Sequence, residues 1–158
     1  MNKIKILIIS VLVILLALLL VFIIHKFLFE KKVVGVIGPT IALNYTNLAP
    51  ELSRSSMVND IPDNAVLLLK FYNFNSGQRQ WEKSFIIKKG EVKEGEEKSD
   101  IILTLDSKYL KGLTNNNFCS VIQIANNNGD LGFETEMSKV SLAWKFKSMY
   151  QYRDCFGF

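Results

Sequence analysis

Nineteen consecutive residues, Ile6 to Ile24, carry no charge, and Ser10 is the only polar one among them. Seventeen of the nineteen are Leu, Ile, Val or Phe. As a helix rising about 1.5 Å per residue, the run reaches roughly 28 Å, close to the hydrocarbon thickness of a bilayer. Its summed insertion free energy is on the order of −5 to −10 kcal/mol. A helix in a globular core keeps a polar face, and this run has none. The sequence predicts a single transmembrane helix.

A cleaved secretory signal has a shorter apolar core, about 7–15 residues, ending at a small-x-small site. No small residue occurs from Phe22 to Phe29, and Val36-x-Gly38 is followed by Pro39. An uncleaved signal anchor is the better reading, covering 1–32 with its flanks. Phe27, Leu28 and Phe29, interleaved with His25 and Lys26, suit an interfacial collar. The chain's net charge of +4 lies in this part, where five lysines face Glu30 alone. Residues 33–158 hold 14 basic and 14 acidic side chains and are neutral. A broad basic face for nucleic acid is therefore not expected.

Orientation is balanced on the positive-inside count: the α-amine, Lys3 and Lys5 on one side, Lys26, Lys31 and Lys32 on the other. Asn44-Tyr45-Thr46 is a glycosylation sequon, which inclines the reading towards an extracytoplasmic domain.

Residues 33–50 contain two glycines, two prolines and no charge, and read as a tether. A short helix is expected within 46–57. Ile61 to Asn64 is a turn, and Ala65 to Tyr72 is an apolar run fit for a buried strand. Arg79 to Lys88 alternates, with Trp81, Phe85 and Ile87 on one face. Around an Asn-Ser-Gly loop these two runs form an antiparallel hairpin. Lys89-Gly90 turns the chain into a strand at Glu91 to Lys93, the charged run Glu94 to Asp100 is a solvated loop, and Ile101 to Leu105 is a further strand.

Asp106 or Ser107 can cap a helix through Leu110, and Phe118, Val121, Ile122 and Ala125 fall on one face of a second. Leu131 and Phe133 mark a last strand. Ser138 caps a final helix with Leu142, Phe146, Met149 and Tyr150 on one stripe. The order makes an α+β domain with helices on one face of a sheet.

Chemistry-bearing constellations are missing from the sequence. The sole histidine, His25, sits at the membrane boundary, which removes Ser-His and Cys-His pairs and most zinc sites. No cofactor motif is present: Gly35 and Gly38 lack the Lys-Ser/Thr of a phosphate loop. Cys119 and Cys155 read as buried thiols in preference to a disulfide. What stands out is a surplus of large apolar side chains after Asn117. From Val140 to Phe158 they occupy more than one stripe, Val140 and Trp144 being spaced by four outside the main one. Such a helix covers something besides its own sheet: a ligand cavity, a partner protein or a membrane surface. Lys139, Lys145, Lys147 and Arg153 among the aromatics suit the last.

The stretch Phe85 to Leu113 (FIIKKGEVKEGEEKSDIILTLDSKYLKGL) resembles the sterol carrier protein type-two (SCP2-like) domain. The matching positions are Gly90, Glu94 to Glu97, Asp100, Ile101, Leu103, Leu105, Asp106 and Leu110. Asp130 to Phe133 and Ser141 to Phe146 correspond downstream, and Asp63 to Gly77 with Trp81 upstream. Two features depart from the family pattern: the long first helix is reduced to the segment near 46–57, and an Asn-rich run ending at Gly129 replaces a glycine.

The resemblance implies a sheet of about five mostly antiparallel strands, covered by helices on one face, over residues 51–158. It also implies an apolar cavity for a lipid or sterol-like ligand, bound without catalysis. That cavity would be lined from the sheet by Ile102, Leu105 and Phe133, and from the helices by Tyr109, Phe118, Ile122, Met137, Leu142 and Phe146. The expected partners are the bilayer, through Ile6 to Ile24, and a hydrophobic ligand. Homo- or hetero-oligomers stay open, and no cofactor, metal or nucleic acid is expected. The alternative is an interaction module of a membrane assembly that docks a partner through its C-terminal aromatic surface.

Overall fold

The computed structural model describes residue 9, residues 11–22 and residues 39–156. The chain divides into two compact units, Met1–Val33 and Val34–Phe158. In the first, residues 11–22 are helical and their side chains exposed. The expected span Ile6 to Ile24 lies partly outside the described residues. Among the described residues no helix is long and apolar enough to cross a membrane.

The second unit is built on a five-stranded sheet in the order β3-β2-β1-β4-β5. Its strands are β1 (Leu67–Asn73), β2 (Gln80–Lys88), β3 (Glu91–Glu94), β4 (Ile101–Asp106) and β5 (Leu131–Glu134). The hairpin expected between the first two runs forms, with Leu67 opposite Ile87 and Leu69 opposite Phe85. β3 and β5 pair antiparallel with β2 and β4. β4 returns parallel to β1, in the register Leu67–Ile101, Leu69–Leu103 and Phe71–Leu105. Gly90, at φ +67°, makes the turn between β2 and β3, where a side chain would be strained.

Because side chains alternate across a strand, these pairs fix the two faces of the sheet. Leu67, Leu69, Phe71, Phe85, Ile87, Val92, Ile101, Leu103 and Leu105 share the face that carries the hydrophobic core. The helices lie against it: α1 (Leu48–Ser53), α2 (Ser56–Asn59) and α3 (Phe118–Asn127). α3 buries Phe118, Val121, Ile122 and Ala125, the predicted stripe. Ser55 caps α2 by accepting from the Val58 amide at 3.3 Å, and Asp106 caps a 3-10 helix (Ser107–Gly112) by accepting from the Lys108 amide at 2.9 Å. On the opposite face the charged loop folds back over the sheet: Glu96 pairs with Lys70 at 2.9 Å and Glu97 with Lys88 at 2.6 Å. The Lys70 ammonium holds the Glu96 carboxyl below its ordinary range.

Two expectations need adjustment. The charge-free composition extends the tether to residue 50, yet packing begins upstream of that. Ala42 bridges Thr114, the Leu43 amide donates to the Leu113 carbonyl at 2.8 Å, and Leu43 and Leu48 are buried. Tyr45 packs edge-on to Phe71, with ring centroids 5.4 Å apart. The final helix, one piece by periodicity, is three in the structure: α4 (Lys139–Lys145), a 3-10 helix (Lys147–Tyr152) and α5 (Arg153–Phe156). Ser138 does cap α4, its hydroxyl accepting from the Ser141 amide at 3.2 Å. The break at Phe146 (ψ 24°) turns the next residues onto Asp60. The Asp60 carbonyl accepts from the Ser148 hydroxyl at 2.8 Å, and its carboxylate accepts from Gln151 and Tyr152, each at 2.7 Å.

Cys119 and Cys155 form a disulfide, with Cα atoms 4.8 Å apart. This corrects the reading as two thiols. α3 and α5 pack directly together and bring the two cysteines side by side, a proximity that their 36-residue separation in the chain could not reveal.

Candidate functional site: an apolar cavity under the C-terminal segment

α4 and the 3-10 helix that follows do not seal against the sheet. Between them and the part of the sheet formed by β1, β4 and β5 lies a cavity of about 830 Å³. Its floor is Leu67, Ile101, Leu103 and Phe133, all from core-facing positions of three adjacent strands. Its roof is Leu142, Ala143 and Phe146, and one end is closed by Met149, Tyr150 and Arg153. Thr135, Met137 and Lys139 complete the rim at the crossing from β5 to α4. The walls are mainly hydrocarbon and aromatic, and the polar side chains along them are Thr135, Lys139, Tyr150 and Arg153. The volume falls within the roughly 300–1,000 Å³ typical of small-molecule sites.

The roof is held by electrostatics at one end and by hydrogen bonds at the other. Lys145 Nζ lies 2.7 Å from Asp100 Oδ1. The other oxygen of Asp100 accepts from the Val66 amide at 2.8 Å, and its carbonyl accepts from the Thr135 hydroxyl at 2.7 Å. Asp100, expected in a solvated loop, therefore ties β1, the exit of β5 and α4 together. At the far end the Asp60 node and the disulfide fix the 3-10 helix and α5. Burial, and secondarily the Asp60 carboxylate, push the Tyr152 hydroxyl up to about 12.

Of the nine residues expected to line a cavity, Phe133, Met137, Leu142 and Phe146 do so. Ile102 does not. It is one residue out of phase with Ile101 and Leu103, so it faces the other side of the sheet. There it borders a smaller polar depression of about 360 Å³ with Glu97, Glu134 and Glu136. Leu105 and Ile122 are fully buried and Phe118 nearly so; all three belong to the packed core between α3 and the sheet. Tyr109 packs, partly buried, against the core and turns its hydroxyl to polar partners: it donates to Asp130 at 2.7 Å and accepts from Asn128 at 2.8 Å. The Lys108 ammonium, 2.7 Å from the same carboxylate, keeps Asp130 below its ordinary range, with the Tyr109 hydrogen bond adding to the effect.

Leu67, Ile101, Leu103, Met149 and Tyr150 are cavity residues that sequence reasoning does not assign. Strand parity carries the signal for Ile101 and Leu103, because placing Leu105 on the helix side places them there too. Among the described residues no group of His, Cys, Asp and Glu is arranged to hold a metal ion.

No protein-family model and no curated protein matches the chain. Solved structures similar to it include the following two. Sterol carrier protein 2 from Yarrowia lipolytica, in its apo form, is 18% identical over 52% of this chain and 71% of its own, with a TM-score of 0.35. The conserved hypothetical protein TT1886 from Thermus thermophilus, described as a possible sterol carrier protein, is 9% identical over 80% of this chain and 94% of its own, with a TM-score of 0.34.

Proposed function

We propose that this chain is a membrane-anchored binding protein that holds a lipid or other hydrophobic small molecule non-covalently, without catalysing a reaction on it. The observation that carries the reading is the cavity of about 830 Å³, floored by strand residues, roofed by Leu142 and Phe146, and lined mainly by hydrocarbon. Burying on the order of 400 Å² of ligand hydrocarbon in it is worth about 10 kcal/mol before the costs of association. Such a cavity selects for hydrocarbon surface and supplies little polar chemistry. The sequence resemblance to SCP2-like domains points the same way.

The anchor rests on the uncharged run Ile6 to Ile24 and its lysine flanks. It keeps the domain beside a reservoir of apolar ligand, which raises the effective ligand concentration. The Cys119–Cys155 disulfide supports an extracytoplasmic domain, since such bonds persist on oxidising sides of membranes.

The test is purification of residues 39–158, which start where the packing of the second unit starts. Solvent extraction with mass spectrometry should find a co-purified lipid, and a fluorescent fatty acid should be displaced by it. A fragment that is folded, empty and unable to take up the probe overturns the reading.

A further inference from the structure

α4 is apolar on two sides. Leu142 and Phe146 point into the cavity, whereas Val140 and Trp144 leave 68% and 73% of their surface in solvent. They stand one helical turn apart, so they form a single outward patch. The cavity accounts for the inner side and leaves the outer one without a role.

Along the chain, the charge through this patch is of one sign. From Lys139 to Arg153 the chain has four basic residues and no acidic one, within a domain whose charges sum to zero only when these four are counted. Lys145 is committed to Asp100; Lys139 and Lys147 stand exposed at the two ends of α4. A Trp beside an aliphatic side chain, bracketed by lysines, is the composition that lies in the headgroup layer of an anionic bilayer.

We infer that the outer face of α4 docks on the surface of an anionic lipid bilayer, through Val140 and Trp144 in the headgroup layer and Lys139 and Lys147 on lipid phosphates. This rests on the cavity reading for its purpose. The element that docks is also the cavity roof, so a ligand could pass from the bilayer into the cavity at its rim without crossing water. The bilayer is chosen over a protein partner because the same chain carries the uncharged run Ile6 to Ile24 and because no carboxylate interrupts the cations from Lys139 to Arg153.

The chain has two tryptophans, Trp81 and Trp144, so Trp81→Phe leaves Trp144 as a single reporter. The full-length variant is reconstituted into phosphatidylcholine vesicles with and without phosphatidylglycerol, using acyl chains brominated at graded depths. Emission from Trp144 should shift to the blue and be quenched, most by the shallowest bromines. The docked-to-free ratio should fall about fivefold for Lys139→Gln or Lys147→Gln, and vanish towards baseline without the anionic lipid. Protein that floats with the vesicles but keeps a red, unquenched Trp144 overturns the docking and spares the anchor. A blue shift without bromine quenching means that a second copy or a protein partner covers the patch, and overturns it too. Protein that does not float overturns the anchor and the docking together. Ligand co-purification, measured separately, reports on the cavity alone.

Discussion

Lys145 Nζ sits 2.7 Å from Asp100 Oδ1, each side chain about four-fifths covered, and the contact joins the roof of the cavity to its floor. The two residues differ in what else they hold. Among the described residues Lys145 makes only this bond from its ammonium, whereas Asp100 also accepts from the Val66 amide. Removing the carboxylate therefore leaves both a largely covered cation and a backbone donor without this partner. Asp100→Ala should cost about 1–3 kcal/mol in denaturant unfolding, and Lys145→Met less than Asp100→Ala. Both should increase amide exchange across residues 139–145 and speed release of a bound fluorescent fatty acid. Equal stability losses with unchanged exchange in α4 would mean that the pair does not hold the roof.

Phe146 and Ile122 both read as cavity walls in the sequence, and the structure separates them. Phe146 lines the cavity and Ile122 is enclosed in the core. Ile122→Ala should cost about 2–5 kcal/mol of stability with ligand affinity per folded molecule unchanged. Phe146→Ala should do the reverse, costing little stability and weakening binding of the fluorescent probe. Thermal unfolding and probe titration on both variants check this, and the same ranking in both assays would contradict the assignment.

What is legible in the sequence is local. Alternation gives the hairpin of β1 and β2, periodicity gives the buried stripe of α3, and oxygen-bearing residues at Asp106 and Ser138 give two caps. What is not legible depends on partners distant in the chain. Ile101 and Ile102 are equally apolar, so composition does not separate them; their parity with Leu105, fixed by the parallel register with β1, decides which of them meets the helices. Residues 40–47 look like a tether because they carry no charge, yet Asn115 captures the Ile41 amide from 74 positions away. The C-terminal stripe runs on past Phe146 in the pattern, and Asp60, some 90 residues upstream, redirects it. The cavity therefore exists because long-range hydrogen bonds hold an apolar segment away from the sheet it would otherwise cover.

Gly132 in β5 opposes Thr104 of β4, and a Cβ at that position would run into the Thr104 hydroxyl. Thr104 is buried, so its side chain has little room to move aside. Gly132→Ala should destabilise the domain by about 1–3 kcal/mol through overpacking. The double variant Gly132→Ala/Thr104→Ala removes the obstructing side chain and should recover part of that loss. Urea unfolding of both variants, read as a double-mutant cycle, gives the coupling; strict additivity would refute the steric account.

The Tyr152 hydroxyl, buried and bonded to Asp60, titrates at about 12 rather than near 10. A group whose folded value is raised binds its proton more tightly in the folded state. Its contribution is complete below about pH 10 and disappears as pH rises from 10 to 12. Tyr152→Phe should therefore be about 1 kcal/mol less stable than the parent at neutral pH, from the lost hydrogen bond. The gap should narrow and then invert as pH passes from 10 to 12, because only the parent has a phenol at position 152 to ionise. Parallel denaturant curves across that window decide the matter, and a constant gap would exclude Tyr152 as the source.

The Cys119–Cys155 bond closes a 36-residue loop that contains β5, α4 and the C-terminal 3-10 helix, and so the cavity's roof and one of its ends. In the chain-entropy model, opening a loop of that size costs about 3–4 kcal/mol. α3 and the sheet are packed independently of it, through Phe118, Val121 and Ile122. Reduction, or Cys119→Ser with Cys155→Ser, should therefore loosen residues 139–156 before it unfolds the rest. The expected result is a rise in amide exchange confined to that segment, with loss of bound probe at denaturant concentrations where β1 to β4 stay protected. The free-thiol count before and after reduction establishes the bond in the native chain. If the pair is already reduced there, or if exchange rises evenly across the sheet, the disulfide is not what holds the wall.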